Sequence, residues 1–101
     1  MATTLLSNAG AGTTGPWFNI RVVSRGADLA KRFHAWGSYN EAITIEGSHL
    51  VDDDSDVHTL GTIAPGGGDF DLLMPIERVR AKTGATQAPG TGANVQLSMG
   101  Y

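Results

Sequence analysis

The chain contains no cysteine. Disulfides, thiolate metal sites and thiol nucleophiles are therefore excluded. Charge is absent from both flanks. The seven basic and ten acidic side chains all lie between Arg21 and Lys82. Basic stripes are missing too: Lys31 and Arg32 form an isolated pair, while Arg78, Arg80 and Lys82 stand two apart. With a net charge of −3, the chain lacks the electrostatic footprint of a nucleic-acid binder. No apolar run approaches the ~20 residues of a membrane-spanning helix. The first residues have neither the basic stretch nor the apolar run of a signal peptide. Neither nucleic acid nor membrane is expected as a partner.

What is present is a chain of 101 residues, near the size of one domain. Only its middle carries charge, and a core built from about 60 residues is marginal without help. Oligomerisation is the ordinary remaining source of burial. Helical spacing is nearly absent, and residues 26–32 read as a turn or a single helical turn. Period-two alternation is the main signal. It places Phe18, Ile20 and Val22 on one strand face, and Phe33 and Ala35 opposite His34 and Trp36. Ile43 and Ile45 alternate with Thr44 and Glu46, and Phe70, Leu72 and Met74 share a side. Residues 57–63 form a weaker strand. Val79 and Ala81 oppose Arg78, Arg80 and Lys82, and residues 94–99 alternate most cleanly. Turn chemistry at 24–26, 37–40, 47–48, 65–68 and 89–92 separates these stretches. About seven short strands at this spacing predict an all-β fold, an antiparallel β-sandwich or jelly-roll-like small barrel.

Several constellations could carry chemistry. Asp52, Asp54 and Asp56 have the spacing of a calcium loop. Val57 stands where such a loop needs glycine, and Ile63 where it needs glutamate. A solvated loop is the expectation, with no metal and no cofactor. His34, His49 and His58 lack the spacing of a helical zinc pair. No serine sits in a nucleophile elbow. The glycines at 66–68 precede neither a lysine nor a helix, as a phosphate loop requires. No enzyme is expected. Trp17, Trp36, Tyr39 and Tyr101 would make a sugar platform if they were exposed together. Arg78, Arg80 and Lys82 form a cationic row, either a docking face for an acidic partner or a sheet face paired to acidic neighbours.

The uncharged flanks suggest subunit contact. Residues 1–15 predict an extended arm, separate from a sandwich domain at 16–101. Ordering fifteen residues costs about 15–30 kcal/mol at ~1–2 kcal/mol per residue. Burying Leu5 and Leu6 returns only about 1.5–3 kcal/mol each. Such an arm, with Leu5, Leu6 and Trp17 as its contacts, orders only along a partner. Its deletion is expected to leave the sandwich folded. Asn94, Gln96 and Ser98 form an uncharged polar strand face, and an uncharged exposed strand invites pairing. With Trp36 and Tyr101 they form the expected subunit interface.

The uncharged Ala/Thr/Gly stretch at 1–15, the strand at 43–48, and the stretches at 75–81 and 92–98 together resemble small virion proteins of tailed bacteriophages, especially capsid decoration (cement) proteins. The resemblance spans most of the chain in texture and carries no signature residue. It implies a β-sandwich subunit, commonly a homotrimer, that clamps adjacent major capsid subunits on the capsid surface after assembly in the host cytoplasm. Related β-domains occur in tails and head–tail adaptors. A small carbohydrate- or calcium-binding β-sandwich is the alternative from another class.

Overall fold

A computed structural model describes residues 2–20, 30–50, 52–72, 76–85 and 92–99. The described residues form eight strands: β1 Ala2–Ala9, β2 Phe18–Asn19, β3 Lys31–Ser38, β4 Ile43–Ser48, β5 His58–Ile63, β6 Gly68–Leu72, β7 Arg78–Lys82 and β8 Gly92–Met99. No α-helix occurs among the described residues. The strands form two antiparallel four-stranded sheets packed as a β-sandwich. Sheet A has the order β1-β8-β3-β6 and sheet B the order β2-β7-β4-β5. Successive strands lie in opposite sheets at every step except β4 to β5.

The alternation in the sequence is the alternation of the sandwich. Phe33 and Ala35 of β3 and Val95 and Leu97 of β8 point inward, against Ile45 and Val79 of sheet B. Burying each large aliphatic side chain of this kind contributes about 1.5–3 kcal/mol. Phe33 packs its ring on Phe70 of β6, with centroids 5.8 Å apart. Phe70 in turn closes one side of the sandwich. A Cβ at Gly61 of β5 would lie 2.7 Å from its ring, so the ring occupies the space of the missing side chain. The other side closes at Gly15, whose N–H donates to the Ala81 carbonyl at 2.9 Å and where a Cβ would lie 2.6 Å from the Leu5 carbonyl oxygen. Tyr39 is buried, and its hydroxyl donates to the Ala64 carbonyl at 2.7 Å. That bond ties the β3–β4 connection to the β5–β6 connection.

The expected arm is corrected. Residues 2–9 are strand β1, an integral edge of sheet A paired with β8. Leu5 and Leu6 are 3% and 4% exposed and belong to the core. Two adjacent residues can both face inward because the ladder shifts register between Thr4 and Leu6, and again between Leu6 and Ala9. Such bulges break strict alternation. The ordering cost set against two leucines alone left out the ladder hydrogen bonds that β8 supplies. From Gly12 onward the chain crosses to sheet B. Gly12 N–H donates to Gly84, Thr14 bridges Lys82, and Phe18 and Asn19 pair with Val79 and Arg78. Residues 1–15 are therefore not a unit apart from 16–101.

Smaller differences concern the turns. Gly37–Ser38 and Gly47–Ser48 lie inside β3 and β4, not between strands. Lys31 is fully buried at the start of β3, where a turn was expected through Arg32. Residues 24–26 and 86–91, Val22, Met74 and Tyr101 lie outside the described residues.

Candidate functional site

The uncharged flanks of the sequence meet in space. β1 runs beside β8, so the two neutral segments form one half of sheet A. On β8 the inward phase is Ala93, Val95 and Leu97, which leaves Asn94, Gln96 and Ser98 half-exposed on the outer face. Their partners on β3 are Trp36, His34 and Arg32. One row across the outer face therefore reads Thr4, Gln96, His34, Asp69, and the next reads Ala2, Ser98, Arg32, Asp71. Charge enters only at β3 and is matched there by β6. Arg32 donates two bonds to Asp71 at 2.8 and 3.0 Å, and His34 Nδ1 lies 2.6 Å from Asp69 Oδ1. The β1–β8 half has no charged group.

Trp36 marks the boundary between the two halves. It is 39% exposed, and its ring stacks on that of His34 with centroids 5.4 Å apart. Asn94 beside it accepts a bond from Asn8 N–H at 2.9 Å and so fastens the end of β1. Of the five residues expected at an interface, four (Trp36, Asn94, Gln96 and Ser98) share this face. Tyr101 lies outside the described residues.

The outer face of sheet B is organised differently. Arg80 pairs directly with Glu46 across β7 and β4. Its Nε donates to Glu46 Oε1 at 2.8 Å, and Lys82 Nζ lies 3.3 Å from Oε2. Glu46 is 6% exposed. Burial pushes its carboxyl upward, but the bonds from Arg80 and Lys82 outweigh this and hold it below the ordinary glutamate value. Arg78 is 5% exposed, paired to Asp54 at 2.9 Å and bonded to the Asp53 carbonyl. Trp17 lies over both guanidiniums, 4.4 Å from Arg78 and 4.3 Å from Arg80. Arg78 and Arg80 are thus covered and all three cations have a carboxylate partner, Arg80 and Lys82 sharing Glu46, so the row is not the fully open docking face expected of Arg78, Arg80 and Lys82; Lys82 alone keeps much of its side chain in water. Trp17 is a lid on sheet B, not an arm contact. Phe18 pairs with Val79 and faces inward, so Trp17 falls on the opposite side with the arginines. That phase was readable from the sequence, although the pairing of β2 with β7 was not.

The loop between β4 and β5 is built around Asp56. Its Oδ2 accepts from His49 N–H at 2.8 Å and from Ser48 Oγ at 3.1 Å, while Oδ1 lies 2.8 Å from His58 Nε2. The His49 backbone bond and the His58 contact hold the Asp56 carboxyl below its ordinary value. Asp54 turns to Arg78, and Asp53 accepts two bonds from Ser55. The aspartates thus face different partners, and no group of three metal-binding side chains converges among the described residues. Ser48 is fully buried, and both Ser48 and His58 address the carboxylate, so no nucleophile–base pair forms here. His49 and His58 do meet, with rings 5.2 Å apart edge to face. The aromatic platform does not assemble: Trp17 lies on sheet B, Trp36 on sheet A, and Tyr39 is buried.

Comparison with protein-family models, with curated proteins and with solved structures gives no match.

Proposed function

We propose that the chain is a non-catalytic structural subunit that works by assembly, a capsid decoration (cement) protein of a tailed bacteriophage. In this reading it forms a homotrimer on the capsid surface and clamps adjacent major capsid subunits. A tail or head–tail adaptor domain would use the same surface. The observation that supports it is the meeting of β1 and β8. Their side of sheet A offers an edge strand and a polar face without a single charge, whereas charges elsewhere on the sheets are paired. An uncharged edge invites pairing with another chain, and neutral polar groups can be covered without desolvating ions.

Light scattering after size exclusion, together with cosedimentation with purified capsids, tests this reading. A discrete oligomer that binds capsids and loses binding in Gln96→Lys supports it. A monomer at high concentration that never cosediments would sink it. The exposed Trp36, beside His34 and Gln96, favours one second reading, a sugar-binding surface. A change in tryptophan fluorescence with a neutral oligosaccharide, absent in Trp36→Ala, would select it.

A further inference from the structure

We infer that β1 is an exchangeable strand: it leaves its own sheet and completes sheet A of a second copy of this chain. The inference rests on the assembly reading and names its partner and its moving part.

Three features of β1 together suit it to exchange. It lies at the sheet edge, so only β8 holds it by a ladder, and that ladder shifts register twice within eight residues. It has no charged side chain, so passing to a neighbour moves no ion out of water. Its buried contacts, Leu5, Leu6 and Ala9, fill the core whichever copy supplies them. Exchange therefore conserves every β1 contact and changes only the turn that follows.

That turn has the properties of a hinge. Gly12 adopts left-handed backbone at φ 64° to bring the chain round, and extension removes the need for it. No neighbouring atom lies within 4 Å of the side-chain positions at Gly10 and Gly12, so the turn is held to the sandwich by hydrogen bonds and not by packing at these positions. Backbone bonds from Gly12 N–H to Gly84 and from Thr83 N–H to Thr13 hold the turn, and one side chain adds to them. The buried Thr83 hydroxyl donates to the Gly10 carbonyl at 2.6 Å and accepts from Thr13 N–H at 2.9 Å. It joins the β1 side of the turn to the body of the sandwich. Thr13 Oγ1 adds a second bond to the same Gly10 carbonyl at 2.9 Å. Thr83 is the catch and Gly10–Gly12 the pivot.

The closed form is a one-chain affair and wins at low concentration. Exchange is second order in protein, and on an assembly surface neighbouring copies meet at high effective concentration. The strand then links subunits without any new kind of contact.

The absence of native cysteine makes the test direct. Ala9 and Ala93 are register partners across β1 and β8 and are both buried, as Thr4 and Gln96 are partners on the outer face. The variants Ala9→Cys/Ala93→Cys and Thr4→Cys/Gln96→Cys are assembled at high concentration, oxidised, and run on a non-reducing denaturing gel. Exchange gives covalently joined chains from both pairs, and adding Thr83→Val raises their yield severalfold by weakening the catch. An oligomer by light scattering with only intrachain crosslinks overturns exchange and leaves the assembly reading standing. A monomer with only intrachain crosslinks overturns both. The second pair guards against a core defect in the first.

Discussion

The two outer faces of the sandwich handle charge in opposite ways. On sheet B, three cations lie in a row, and the fold brings Glu46 and Asp54 to pair with them and Trp17 to cover Arg78 and Arg80. On the β1–β8 half of sheet A there is no charge to neutralise, and Asn94, Gln96 and Ser98 are half-exposed. The residues that looked most like a docking strip are thus part of the molecule's own packing. The plainer face, made of Thr4, Asn94, Gln96 and Ser98, is the one the assembly proposal assigns to a partner. A row of charges in a sequence does not identify an interface until its counterions are accounted for.

The comparison can be broken by mutation, beginning where the loss is greatest. Leu6→Ala removes a buried core side chain and is expected to cost about 2–5 kcal/mol in denaturant unfolding. Deleting β1 altogether should abolish the cooperative transition, the reverse of what a dispensable arm predicts. Glu46→Ala leaves Arg80 and Lys82 without their shared counter-charge and should cost about 3 kcal/mol, the low end for a buried pair because Lys82 still reaches water. Trp17→Ala uncovers two guanidiniums and should cost about 1–2 kcal/mol. Gln96→Lys, on the open face, should change stability by under about 0.5 kcal/mol while assembly is lost. If Trp17→Ala impaired assembly as severely as Gln96→Lys does, the two faces would not be functionally distinct.

Acid sharpens the same contrast. The Glu46 carboxyl titrates below its unfolded value of 4.5 in the fold. Its contribution is therefore complete above that value and is lost as pH falls through the lower, folded value. Asp56, held low by His49 and His58, acts with the same sign on the β4–β5 loop. Unfolding measured from pH 6 to pH 3 should show stability falling only below about pH 4.5, with Glu46→Gln flattening the profile.

Much of the sandwich was legible because β3, β7 and β8 obey strict alternation, and each face follows from a period of two. Phe33, Ala35, Val79 and Ala81 stood out as core for that reason. β1 escaped because Leu5 and Leu6 are adjacent, a pattern that only a bulge makes compatible with a strand. The neutral face of β8 was readable, and so was its place beside Trp36 in broad terms. What covers Arg78 and Arg80 was not, because Trp17, Glu46 and Asp54 come from separate elements and only the sheet order joins them. The Asp56 hub was hidden in an acidic run whose spacing suggested a cation, while the real donors are two histidines and a serine. The Thr83 hydroxyl left no trace at all in the sequence pattern.

The pairing of β1 with β8 also has a consequence in time. β1 is the first of the described strands to be synthesised and β8 the last. At about 5–20 residues per second, Leu5 and Leu6 wait on the order of 5–20 seconds for the strand that shelters them. Because the remaining strands also pair mostly with distant neighbours, little can close early. Until β8 follows, the nascent chain carries β1 as an open edge with two exposed leucines, so the first strand made is among the last to be sheltered.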